Sequence, residues 1–261
     1  SADVGNRCIS NTLTDTTSTF TYLSDDFKLV KQEGKLYLAP THEHCVEGET
    51  GCGHSQLGWS AWTDGTQLPE SGNYFLETDV ELTKVAEMKG LNLCLNGHTV
   101  KNVAANNRVL NAASGTVTLT DCAVNPGSIT GGNRDYGAGI TVAGGATLNL
   151  YNIIITGNEN KTDGGAIYVR GGGTLNMYSG KITGNTARNG AAVAIADAAG
   201  GKAGVFNLYG GEISGNTTTG NGTMYGYIGA QFNLLGGKVT GNTANHGGAF
   251  YFGATMDRVT L

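Results

Sequence analysis

The densest group of metal-ligating side-chain types is His42, His44, Cys45, Cys52 and His54, within the stretch THEHCVEGETGCGH. Two thiolates and two imidazoles, from His44, Cys45, Cys52 and His54, are enough to surround Zn²⁺ tetrahedrally, although the spacing is not that of a standard finger. A Cys45–Cys52 disulfide, natural in an oxidising compartment, uses the same thiols. Free thiols are the third alternative, and none of the three performs catalysis. Structural zinc is therefore the candidate metal, and nothing else in the chain calls for a cofactor. The five cysteines, at 8, 45, 52, 94 and 122, are odd in number and cannot all pair internally. Cys94 and Cys122 stand at different places in two weak repeats, so a bridge between them is not implied.

Asp135 and Asp163 are the candidate catalytic carboxylates. They head equivalent segments, DYGAGITV and DGGAIYV, with Arg134, Lys161 and Arg188 in neighbouring loops. On adjacent turns of a coil, two such carboxylates stand roughly 5–10 Å apart, a range that covers both glycosidase geometries. An Asp before glycine is also an ordinary turn residue. Later copies carry Asn189 and His246 at this place, which describes a polar column as well as it does an acid–base pair.

A second candidate is a strip of amides beside aromatic rings: Asn149 and Tyr151, Asn176 and Tyr178, Asn207 and Tyr209, then Asn233 and Leu235. Rings can stack on pyranose faces while amides bond sugar hydroxyls, so the strip is the first candidate ligand-binding surface, and the rim loops 132–137, 159–164 and 217–227 are the second. Like residues stacked on one face also stabilise a sheet through neighbour pairs. A further column, Thr130, Thr156, Thr183, Ser214 and Thr240, is explained better by β-propensity than by ice binding.

These positions recur because the chain repeats. LNLYNIIITGN, LNMYSGKITGN, FNLYGGEISGN and FNLLGGKVTGN align directly, and LCLNGHTVKN and LTDCAVNPGSITGG are weaker copies. Taking Leu95, Leu119, Leu150, Met177, Leu208 and Leu234 as equivalent gives steps of 24 to 31 residues. The variation belongs to loops. Apolar and polar residues alternate, so Leu148 and Leu150 point inward while Asn149 and Tyr151 point outward. Glycine pairs between the strands permit tight corners, and the Asn of each GN (Asn158, Asn185, Asn216, Asn242) is placed to form an amide ladder that satisfies corner backbone.

The expected fold is all-β: a right-handed parallel β-helix of about six turns with a small N-terminal β-rich cap. Handedness follows the crossover rule for parallel strands. Residues 1–60 form an N-terminal β-rich segment with the Cys/His loop, 61–90 capping strands, and 91–261 the β-helix. No polar cap closes the last repeat, so continuation beyond residue 261 is expected. Trp59 and Trp62 read as core of the cap rather than as a ligand platform.

Composition narrows the function. The chain has 43 glycines among 261 residues, against a usual ~7%, but only three prolines and no G-X-Y period, which excludes collagen. Charged residues are 14%, the net charge is −5, and no basic cluster of the kind that holds nucleic acid is present. No apolar run approaches the ~18 residues of a membrane span. The abundance of Asn, Thr and Tyr suits contact with neutral glycans or another protein more than with anionic polymers.

At ITGNENKTDGGAIYV, ITGNTARNGAAVAI and VTGNTANHGGAFYF the chain resembles β-helical repeat proteins of bacterial surfaces. These include the polymorphic outer-membrane adhesins of chlamydiae, although Ile155 stands where their motif has an aromatic. Residues 42–100 are similar to a segment of large surface proteins of gut Firmicutes, departing from it at Glu47, where that pattern has a second cysteine. The resemblance covers roughly residues 42–261 and reports fold and location more than activity. It implies a secreted or cell-surface module for adhesion or for contact with a glycan or a surface protein. The alternative is a β-helical glycoside hydrolase or polysaccharide lyase, but the Asp pairs, G-H-G and R-x-K patterns of pectate lyases and polygalacturonases are absent.

Overall fold

A strand with alternating polarity buries one side only. A chain that repeats such strands can bury them all by coiling, so that the apolar sides meet along an axis. The computed structural model has this form, a parallel β-helix. It describes residues 59–196 and 202–253, together with the backbone of the strands Cys8–Ser10, Phe27–Gln32, Lys35–Pro40 and Arg258–Thr260. The first three of these form an antiparallel sheet. The Cys/His loop, with His44, Cys45, Cys52 and His54, lies outside the described residues.

Three parallel sheets make the walls. The first has nine strands, including Gly72–Leu76, Leu91–Cys94, Thr147–Tyr151, Thr174–Met177 and Val205–Leu208; the second and third have seven each. Seven complete turns result, one more than the repeats suggested. The additional turn is the segment expected to cap the rod: Gly72–Leu76 pairs in parallel with Leu91–Cys94, and Val80–Leu82 with Val100–Asn102. Register also corrects one alignment, since Leu93 and not Leu95 lies opposite Leu119. Trp62 packs edge-on against Tyr74, with ring centroids 5.2 Å apart, as part of this first turn.

Inward columns are apolar along their length. Val117, Leu148, Leu175, Phe206 and Phe232 lie in successive register on the first sheet, and Val100, Ile129, Ile155, Ile182 and Ile213 on the second; all ten are fully buried. Cys94 and Cys122 are buried thiols whose sulfurs are 3.6 Å apart, packed against Trp59 and Phe75, so the two weak repeats do bring these cysteines together.

The corner after the second sheet is fixed by glycine and asparagine. Gly157, Gly184, Gly215 and Gly241 adopt φ between 61° and 64°, a left-handed turn that an L side chain adopts only with strain. Each is followed by a ladder asparagine. The Asn185 Nδ2 group donates to Ile155 O at 2.9 Å, to Thr183 O at 3.1 Å and to Asn216 Oδ1 at 3.0 Å. Its Oδ1 accepts from the Asn158 backbone N–H at 3.1 Å and from Asn158 Nδ2 at 3.0 Å. A buried amide with so many backbone partners is difficult to replace. Asn185→Ala is expected to cost about 2–4 kcal/mol in denaturant unfolding, and Asn242→Ala, at the half-buried end of the ladder, no more than about half of that.

Candidate functional site

The first face carries the expected strip. Asn176 donates to Asn149 at 2.9 Å, Asn207 to Asn176 at 2.8 Å, and Asn233 to Asn207 at 2.7 Å. Beside them the Tyr151, Tyr178 and Tyr209 rings stack at 4.6 and 4.8 Å, nearly parallel at 1° and 8°. Tyr178 and Tyr209 are 37% and 43% exposed, so this part of the strip is open to solvent. The rings, however, use their faces on one another. The faces between the rings are closed to a ligand, which is poor geometry for stacking on a sugar. The amides are likewise joined to each other. The strip behaves as a stabilising ladder of like residues.

The third face differs, because its outward column is covered. Thr141 and Ala194 occupy the middle of their strands and point outward, yet both are buried to within 1%. Arg108 lies over Thr141, donating from Nη1 to its Oγ1. The Tyr227 hydroxyl donates to Asp163 Oδ2 at 2.6 Å, two turns back, so its ring passes the level of Ala194. Between these two covers lies a cavity of about 790 Å³, lined among others by Arg108, Arg134, Arg170, Tyr136, Tyr168 and Tyr227. That size is typical of a small-ligand site.

Each wall of the cleft has a local cause. Arg108 precedes the strand Leu110–Ser114 and is held by the Asn107 side chain, whose Oδ1 accepts from the Arg108 backbone N–H at 3.1 Å. Tyr168 is the outward residue of Ile167–Val169, and Arg170 follows that strand directly. Tyr136 sits in the rim loop at φ +56°. The other non-glycine residues with positive φ, among those described, are asparagines, which tolerate this region; a tyrosine there costs on the order of 1–2 kcal/mol. Its backbone N–H is fixed by Thr162 Oγ1 at 3.1 Å, and its ring meets Tyr168 edge-on at 5.7 Å. Gly137 (φ +88°) permits this approach, since a Cβ there would come within 2.7 Å of both Thr141 and Tyr168. Backbone strain maintained by surrounding contacts is a recurrent mark of a ligand site.

Asp135 and Asp163 both belong to this region but do not form an exposed pair. Asp135 lines the cleft at its exposed mouth, and its Oδ1 accepts from the Lys161 backbone N–H at 3.3 Å. Asp163 is 1% exposed, and its oxygens are taken by Asn189 Nδ2 at 2.8 Å and by Tyr227. It positions the cleft wall instead of facing a substrate. Burial first, and then the bond to Asp163, hold the Tyr227 hydroxyl above the ordinary tyrosine range, so it remains a protonated donor. Burial, followed by the like charges of Arg134 and Arg170, lowers Arg108 from the usual arginine value, with Glu87 acting in the opposite sense.

Sequence reasoning reached Arg134, Asp135 and Asp163 by name, and the rim loops 132–137 and 217–227, which hold Tyr136 and Tyr227, as a second contact surface; it missed Arg108, Tyr168 and Arg170. The signal available was the rim sequence Arg134-Asp135-Tyr136 followed one repeat later by Tyr168 and Arg170. Among the described residues no group of three or more His, Cys, Asp or Glu side chains could hold a metal ion. Compared with protein-family models, curated proteins and solved structures, the chain has no match in any of the three.

Tyr227 and Asp163 are expected to be coupled. In a double-mutant cycle of Tyr227→Phe and Asp163→Ala, measured by denaturant unfolding, the interaction energy should be about 0.5–3 kcal/mol. Strict additivity would mean that the hydroxyl–carboxylate bond does not set the cleft wall.

Proposed function

We propose that this chain is a module of a secreted or bacterial cell-surface protein that binds saccharide in the cleft on the third face of a β-helical rod. The observation that carries the reading is the strained Tyr136, held at φ +56° edge-on to Tyr168 over the cleft. Tyr136 is half exposed, so part of its ring remains available to a ligand. Aromatic rings supply apolar surface with little side-chain entropy to lose, and Asp135 and the arginines can bond hydroxyls. The rod buries its own core, which leaves the outer faces free to carry recognition. A surface setting also suits the low charge and the resemblance to bacterial surface repeat proteins. A binding role is favoured over hydrolysis because Asp163 is buried and fully engaged, which leaves Asp135 without a paired carboxylate.

A glycan and surface-protein array tests the reading with three proteins: wild type, Tyr136→Ala/Tyr168→Ala, and Tyr151→Ala/Tyr178→Ala/Tyr209→Ala. The cleft variant should lose saccharide binding by about tenfold or more, as expected when aromatic anchors are truncated. The strip variant should bind as wild type but unfold more easily, by roughly 0.5–1.5 kcal/mol for each ring pair lost. The opposite pattern, with binding lost only in the strip variant, would move the site to the first face and reject the cleft.

A further inference from the structure

Three arginines from three successive turns converge on one cleft in a chain whose net charge is −5. Arg108 is 9% exposed, and its Nε has no hydrogen-bond acceptor among the described residues. Its one side-chain bond to a neighbour, from Nη1 to Thr141, leaves the Nε–H donor unused. A buried guanidinium with an idle donor is costly, and burying two further like charges' field with it adds to that cost. Glu87 offsets part of this cost, but no carboxylate accepts from the Arg108 guanidinium among the described residues. Glu87 Oε2 accepts from Asn111 Nδ2 at 2.6 Å, Asp163 is engaged by Asn189 and Tyr227, and Asp135 bonds the Lys161 backbone. No ion pair joins Arg108, Arg134 or Arg170 to a carboxylate among the described residues.

We infer that the cleft selects a sugar carrying one negative charge, a carboxylate or a sulfate ester, bound by Arg108 with Arg134 and Arg170 at the mouth. This rests on the saccharide reading above and names the class of ligand. An oxyanion accepts from a guanidinium fork in plane, forming bonds about twice as strong as neutral ones. Beside the partly accessible Arg108 guanidinium it offsets the mutual repulsion of the three cations. The sugar ring is left against Tyr136 and Tyr168, and Asp135 can accept from a ring hydroxyl. Asp135 also disfavours a dianion at the mouth, which is why the single charge is chosen. The composition pointed to neutral glycans, but an average over the chain conceals a local concentration of charge.

The test compares three sugars that differ only at C6: methyl glucuronoside, methyl glucoside 6-sulfate and methyl glucoside. Binding is followed by ¹⁵N-resolved NMR, including the Arg108 Nε–Hε signal, on wild type, Arg108→Gln and Arg170→Gln. One or both acid sugars should bind at least about tenfold more tightly than the neutral one and shift the Arg108 signal. Which of the two binds tells carboxylate from sulfate. Arg108→Gln should abolish the preference. Arg170→Gln, exposed and therefore safe for folding, should weaken acid-sugar binding several-fold and reduce its salt dependence. Equal binding of all three sugars in the cleft would overturn the charge assignment and leave the saccharide reading standing. No perturbation of cleft signals by any of them would overturn both. Acid-sugar binding that neither shifts Arg108 nor weakens in Arg170→Gln would place it elsewhere and reject the inference.

Discussion

Everything in this molecule depends on the demand that each peptide group find its partner in the turn above or below. A parallel coil has few backbone bonds within a turn, so its strands hold only if successive turns stay in register. Register stacks every residue on its counterpart at roughly 4.8 Å, which turns the rod into a set of columns. Isoleucine over isoleucine packs well, and asparagine over asparagine bonds well. The same rule makes a charged column expensive, because like charges would stack at short range. Low charge is thus a consequence of the architecture before it is a statement about partners.

Against that rule the third face stands out. On the first face, Asn follows Asn and Tyr follows Tyr, and the result is a ladder with its faces used up. On the third, Thr141, Tyr168, Ala194 and Tyr225 succeed one another. The small Ala194 between two tyrosines leaves room for Tyr227 to reach back to Asp163. Irregular columns have no internal stabilising pattern, so their cost must be met by specific contacts, as Asn189 and Tyr227 do for Asp163. Covered outward residues, a left-handed tyrosine and gathered arginines occur together where the repeat is broken.

The division between regular and irregular also explains what could be read from the sequence. The fold was legible, because period-two alternation and the recurring GN corner are local signals. The inward leucines and the Asn158 to Asn242 ladder follow from them. The first turn was not, since Gly72–Leu76 lacks the repeat's signature and is recognised only by its pairing with Leu91–Cys94. Leu93 and Leu95 both fit the alternation for a related reason: a two-residue slip preserves the inward and outward pattern, so only pairing fixes Leu93 opposite Leu119. The Asn/Tyr strip was legible as a column, and so was the reading in which its like residues stack on one another to stabilise the sheet. The cleft was least legible. Arg108, Arg134 and Arg170 come from different parts of successive repeats, so no equivalent repeat position links them.

The fate of the two aspartates shows how a column can mislead. Asp135 and Asp163 head segments that align in sequence, which suggests equal roles, but the register places Tyr136 and not Asp135 opposite Asp163. Yet Asp163 has a next-turn neighbour, Asn189, whose amide donates to it, and a tyrosine two turns on that closes over its other oxygen. Asp135 has the Lys161 backbone and open solvent. One carboxylate therefore becomes a fixed internal acceptor that anchors a wall, while the other stays at the mouth of the cleft. Two-carboxylate hydrolysis needs both groups presented to the same bond. Engaged by Asn189 and Tyr227, Asp163 does not face the cleft beside Asp135, and it gives the cleft a fixed wall.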